Sequence, residues 1–152
     1  MWKQIATMIV SLALCAATAS HAQQRATSQE AVALVKRAVA HVHKNGLEKA
    51  LKDFNRSDGG FTDRDLYIVV LDLNGKCLAH GVSPRIIGKD LSGFKDVDGK
   101  PFIQEELRIA KTNGSGWVDF KFVNPANQNI ENKSQYLERV GDVIVMSGFY
   151  KD

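Results

Sequence analysis

The run Tyr67-Ile68-Val69-Val70-Leu71 constrains this fold more than any other stretch of the chain. It is largely β-branched, apolar at every position, and closed by the turn sequence Asp72-Leu73-Asn74-Gly75, so it reads as a strand that needs cover on both faces. A strand with one solvated face would alternate apolar and polar residues instead. Lys76 to His80 returns as its hairpin partner. Val143 to Tyr150 is likewise apolar on both sides, and Gly116 to Val123 and Ser134 to Val140 supply two more strands, separated by an Asn-rich loop around Asn124-Pro125.

Cover for one face comes first in the chain. Thr27-Ser28-Gln29-Glu30 has the Thr-x-x-Glu form of a capping box, and Val32, Val35, Val39 and Val42 follow at helical spacing, which predicts a helix from Ser28 to about Lys44. Asn45-Gly46 ends it, and Leu47, Ala50, Leu51 and Phe54 predict a second, short helix. Residues 55–64 read as a loop. The other face has only residues 81–114 to cover it: a glycine-bearing irregular stretch to Gly99, then a helix opened by Pro101 and running to about Lys111. The expected fold is α+β, with a long N-terminal helix and a short helix packed on a five-stranded antiparallel sheet. A cleft between the sheet and the 81–114 lid is where a small ligand would fit.

With 44% hydrophobic and 24% charged residues the 152-residue chain has globular composition and room for one domain. A net charge of +3, dispersed along the chain, leaves no basic stripe for a nucleic acid. Residues 1–22 have the form of a secretory signal: Lys3 as positive n-region, a mostly apolar run from Ile5 to Ala19, and Ser20-His21-Ala22 placing small residues at −3 and −1 of a cut before Gln23. The alternatives are a retained membrane anchor, for which the run is short, and a lipoprotein cut before Cys15, for which Leu14 is ill placed. The expectation is therefore a signal peptide over residues 1–22, one domain over residues 23–152, and a periplasmic location. Cys77 then remains as a lone thiol, read as a small core residue.

Sequence motifs for catalysis are missing. There is no Gly-x-Ser-x-Gly, no Gly-x-x-x-x-Gly-Lys-Ser/Thr and no His-Glu-x-x-His. His41 and His43 are two apart, which on a helix turns them about 200° from one another and away from a shared metal. Asp96-Val97-Asp98-Gly99 and Asp72-Leu73-Asn74-Gly75 resemble pieces of a calcium loop, yet the twelfth positions are Leu107 and Ser83 rather than Glu. Neither enzyme activity nor a cofactor or metal is expected. What stands out is a set of polar and aromatic residues on the strands beside the lid: Tyr67, His80, Trp117, Asp119, Lys133 and Tyr136. An apolar cleft with an aromatic wall, a charge from Lys133 and hydrogen bonds from Tyr136 and His80 suits a small organic acid.

A family resemblance rests on several short segments in order: Lys44-Asn45-Gly46, Leu66 to Gly75, Leu78-Ala79-His80-Gly81, Ile87-Gly88-Lys89 and Asp96 to Phe102. It continues in Gly114 to Phe120, Asn124-Pro125, Lys133-Ser134-Gln135-Tyr136-Leu137 and Gly148-Phe149-Tyr150. In these the chain resembles a single Cache domain of type 2, the PAS-like extracytoplasmic sensor module of bacteria. The resemblance implies ligand binding on the sheet face opposite the long helix, with Lys133 and Tyr136 meeting a carboxylate. His80, Trp117 and Tyr67 would line the pocket, and Asp119 would orient the ligand or meet a hydroxyl or amine. It also implies signal transduction in chemotaxis, with a membrane receptor or kinase as partner. Because the sequence ends at Asp152, a stand-alone binding protein is expected rather than a receptor. The rival expectation is an interaction module that docks, or forms a homodimer, through its N-terminal helix without a metabolite ligand.

Overall fold

A computed structural model of the protein describes residues 24–151; the segment expected to be a signal peptide lies outside the described residues. Two helices lead, α1 (Ser28–Asn45) and α2 (Leu47–Phe54). Thr27 caps α1 as a full capping box, its side chain accepting from the Glu30 N–H while the Glu30 carboxylate accepts from the Thr27 N–H. Two two-residue strands, β1 (Thr62–Asp63) and β2 (Leu66–Tyr67), pair with one another, β1 within the region expected to be loop and β2 between it and the expected strand, whose first residue, Tyr67, it takes. Then come β3 (Val69–Asp72), β4 (Cys77–His80), α3 (Phe102–Thr112), β5 (Ser115–Val123), β6 (Ile130–Val140) and β7 (Val143–Tyr150).

The five long strands form one antiparallel sheet in the order β4-β3-β7-β6-β5. β7 is therefore the middle strand with β3 beside it, which is why these two segments are apolar on both sides. Ile68, Val70, Val143 and Val145 point to α1 and pack with its Leu34, Val35 and Ala38. Val69, Leu71, Ile144 and Met146 point the other way and pack with Phe102, Ile103 and Leu107 of α3. Cys77 is fully buried in this second core, as expected of a small core residue, and burial pushes its thiol up to about 11. No helix among the described residues is long and apolar enough to cross a membrane.

The lid runs from one sheet edge to the other. At the β4 edge, Cys77 N–H donates to the Lys89 carbonyl at 2.9 Å and Gly88 N–H to the Cys77 carbonyl at 2.7 Å. At the β5 edge, Asp96 Oδ2 accepts from the Lys121 N–H at 3.0 Å, and Lys100 Nζ donates to the Asp119 carbonyl. Asp96 Oδ1 meanwhile accepts from the backbone of Asp98 and Lys100, so one carboxylate both shapes the turn and ties it to the sheet. Hydrogen bonds from Lys121 and Lys100 hold that carboxyl below the usual range. Both open edges are thereby partly occupied, which blunts edge-to-edge pairing with other chains.

Replacement of Asp96 by Ala is expected to lower the thermal midpoint and to speed hydrogen exchange at the Lys121 amide. Exchange at that amide as slow as in the parent would show that the lid is tied down elsewhere.

Candidate functional site

Between the lid, α3 and the sheet lies a hollow bordered by Tyr67, His80, Lys133 and Gln135, with an apolar wall that includes Leu71, Phe120 and Met146. Phe102 at the start of α3 stacks on Phe120 of β5, ring centroids 4.1 Å apart and 8° from parallel, and closes one side. About 40 Å³ is open to the centre of a water-sized sphere, against about 10–15 Å³ per water, so the hollow suits a ligand of only a few non-hydrogen atoms.

Lys133 sits inside β6, which begins at Ile130 rather than at Ser134, and only 2% of it is exposed. Its stem crosses Gly148 of β7, where an added Cβ would come within 2.8 Å of Lys133 Cε and 2.7 Å of the Ser134 carbonyl oxygen. The ammonium donates to Tyr67 Oη at 2.9 Å and lies 4.3 Å from the Tyr67 ring centroid and 5.2 Å from that of Tyr150. Among the described residues no carboxylate comes within 4.0 Å of it. A buried charge normally has an ionic partner, and this one has an aromatic cage and a space.

His80 adds a second donor. Its Nδ1 accepts from the backbone N–H of Ser83 at 3.0 Å and of Val82 at 3.4 Å, which places the imidazole proton on Nε2. Burial, with the nearby charge of Lys133, pulls its pKa down to about 4, so the ring is neutral at pH 7. Its ring lies 4.9 Å from that of Tyr67.

The six residues expected around the cleft do not converge. Tyr67, His80 and Lys133 meet at the hollow. Trp117, Asp119 and Tyr136 project from the other face of the sheet, because Tyr136 is three positions from Lys133 on β6 and adjacent positions alternate faces. Trp117 is opposite Tyr136 in register, packs on it at 5.3 Å and on Phe149 at 6.0 Å, and is 38% exposed. The Tyr136 hydroxyl donates to Glu138, which also pairs with Lys36 of α1. Asp119 accepts from Ser134 Oγ at 2.6 Å and pairs with Lys151 at 2.8 Å. Its partial burial acts to raise its pKa, but these two bonds outweigh that and hold it low. Gln135, which was not among the six expected residues, also borders the hollow, and behind it stands Glu106 of α3, joined to it by a 2.8 Å hydrogen bond. The signal for Gln135 was its even spacing from Lys133.

The sequence model of single Cache domain 2 matches residues 3–152. The chain belongs to the single Cache domain 2 family. A similar curated protein is the methyl-accepting chemotaxis protein McpP of Pseudomonas putida, 28% identical over 92 residues. That match takes in 59% of this Cache chain and 17% of the receptor, so the chain answers to a small part of that protein's length. Among solved structures, a periplasmic sensor domain of a chemotaxis protein is 27% identical, with a TM-score of 0.64 over 82% of this chain and 90% of that one. A methyl-accepting chemotaxis protein from Vibrio parahaemolyticus shares the fold at 20% identity, TM-score 0.71, over 82% and 88% of the two chains. A Cache chemosensory domain described for its carboxylic acid recognition shares it at 23% identity, TM-score 0.70, over 82% and 93%. The five-stranded antiparallel sheet with its three helices is thus the Cache architecture, as the resemblance implied.

Glu106 gives this Cache domain a measurable pH signature. It is 0% exposed, and burial raises its carboxyl to about 8 against the hydrogen bond from Gln135 and the charge of Lys133, which lower it. In the unfolded chain the same group titrates near 4.5. Between those values the folded state holds the extra proton, so stability falls as pH rises from about 4.5 towards about 8. Glu106→Gln is expected to flatten that slope and to raise the thermal midpoint more at pH 8 than at pH 5, read by thermal denaturation across the range. An equal shift at every pH would place the Glu106 proton elsewhere.

Proposed function

We propose that this domain is an extracytoplasmic sensor that binds a small organic carboxylate in the hollow without transforming it. The observation that carries this reading is the buried Lys133 ammonium, which has aromatic rings and a phenol around it and no carboxylate within ion-pair reach. An anion entering the hollow would supply the missing charge. His80 is neutral with its Nε2–H available, and it adds a directed hydrogen bond without adding charge. Charge-assisted bonds of this kind are worth about 1.5–3 kcal/mol each. The chemistry of the hollow is that of capture: donors and an apolar wall, with no activated nucleophile among the described residues that border it.

The size of the hollow favours acids of a few non-hydrogen atoms. Membership of a family whose solved relatives include a periplasmic sensor domain supports placement outside the cytoplasm, in keeping with a leader over residues 1–22. The carboxylic acid recognition described for one Cache relative supports the ligand class. Tyr67, His80 and Lys133 carry the proposed site, whereas Trp117, Asp119 and Tyr136 form part of the helix-side face.

Calorimetric titration with acetate, propionate and other short acids tests the reading. Lys133→Met, which keeps the stem and removes the charge, is expected to weaken binding by about tenfold or more, as loss of one charge-assisted bond requires. Trp117→Ala is expected to leave the affinity unchanged. Equal affinities for the parent and Lys133→Met would overturn the assignment.

A further inference from the structure

One polar pair beside the hollow has no part in meeting a carboxylate. Glu106 stands on the apolar face of α3, fully buried, next to Ile103 and Leu107. Its Oε1 accepts from Gln135 Nε2 at 2.8 Å, and its Oε2 has no partner among the described residues. Gln135 is 4% exposed and borders the hollow, and its Nε2 also donates to Met146 Sδ at 3.6 Å. A carboxamide has two donor hydrogens and one acceptor oxygen. With Nε2 engaged by Glu106 and Met146, the oxygen Oε1 is what Gln135 has left to offer the hollow. An inverted amide would set that oxygen against the lone pairs of the Met146 sulfur, so Met146 disfavours inversion while Glu106 Oε1 accepts from the amide as it stands.

We propose that Gln135, held by Glu106, makes the hollow selective for carboxylic acids that also carry a hydroxyl group, over unsubstituted acids of the same length. This rests on the carboxylate reading above and deepens it. The other polar groups bordering the hollow, Lys133, His80 and Tyr67, are gathered at one end. Gln135 is the remaining polar residue bordering the hollow, whose lining otherwise includes residues such as Val69, Leu71, Phe120 and Met146. An unsubstituted acid buries the Gln135 acceptor unpaired, whereas a hydroxyl pairs with it, and a buried polar group left without its partner discriminates far better than apolar contact does. A 2-oxo acid sets acceptor against acceptor. An amino acid brings a second ammonium near Lys133 with no anion to meet it, since the buried Glu106 carboxyl is held up at about 8 and is mostly uncharged at neutral pH. Glu106 is in this scheme a positioning residue that never touches the ligand.

The test is calorimetric titration at pH 7 with propionate, 2-hydroxypropionate, 3-hydroxypropionate, pyruvate and alanine. At least one of the hydroxy acids is expected to bind roughly tenfold more tightly than propionate, the scale set by one satisfied buried hydrogen bond. Gln135→Met is expected to abolish that preference, because the acceptor that a hydroxyl pairs with and that propionate leaves unpaired is lost. Glu106→Leu is expected to abolish it too, and Glu106→Gln to retain it, since the new amide oxygen still accepts from Gln135 Nε2. A purely structural role for Glu106 would instead move both affinities together. Gln135→Met carries the test where Glu106→Leu does not fold. Equal binding of propionate and both hydroxy acids, or a preference that survives in Gln135→Met, overturns this inference and leaves the carboxylate reading intact. Failure of every acid to bind overturns that reading and this inference with it.

Discussion

Removing the Lys133 ammonium from water is costly, and the surrounding residues are best understood by how they offset it. Tyr67 supplies an oxygen, and the faces of Tyr67 and Tyr150 supply partial negative charge. Gly148 supplies the bare backbone along which the lysine stem can lie. None of these cancels a unit of charge. The same positive charge contributes to keeping His80 neutral, so the two groups bordering the hollow are electrically unlike and chemically complementary: one attracts, the other directs.

The lid gives this charge its seclusion. Residues 81–101 have little regular structure, yet they are held at both sheet edges, by backbone pairing along β4 and by Asp96 and Lys100 along β5. The stacked Phe102 and Phe120 then join α3 to the sheet between those anchors. An irregular segment so fixed can cover a mostly apolar hollow without the regular ladders of a further strand.

The architecture was legible in the amino-acid sequence because its strongest signals are periodic. The capping box at Thr27, the helical spacing behind it and the two strands apolar on both sides all report directly on what packs against what. The short β1–β2 pair at Thr62 and Leu66 was not legible, since two-residue strands carry no period at all. Half of the residues expected around the cleft were readable as neighbours as well. Tyr67, His80 and Lys133 stand out as polar groups on otherwise buried strands, and they do come together. Grouping Lys133 with Tyr136 put residue type ahead of the alternation of a strand, under which positions three apart point to opposite sides. Glu106 falls by spacing on the apolar face of α3 with Phe102, Ile103, Leu107 and Ala110, but helical spacing alone gives no sign of its bond to Gln135 on another element.

That alternation has a mechanical meaning. Along β6, Lys133 and Gln135 reach into the hollow while Ser134, Tyr136 and Glu138 reach the opposite side, where Glu138 grips Lys36 of α1. A single extended segment thus has its alternate side chains engaged in two separate compartments. Hollow-side and helix-side groups share one spine, so a shift of β6 at the hollow would also move the side chains that contact the long helix.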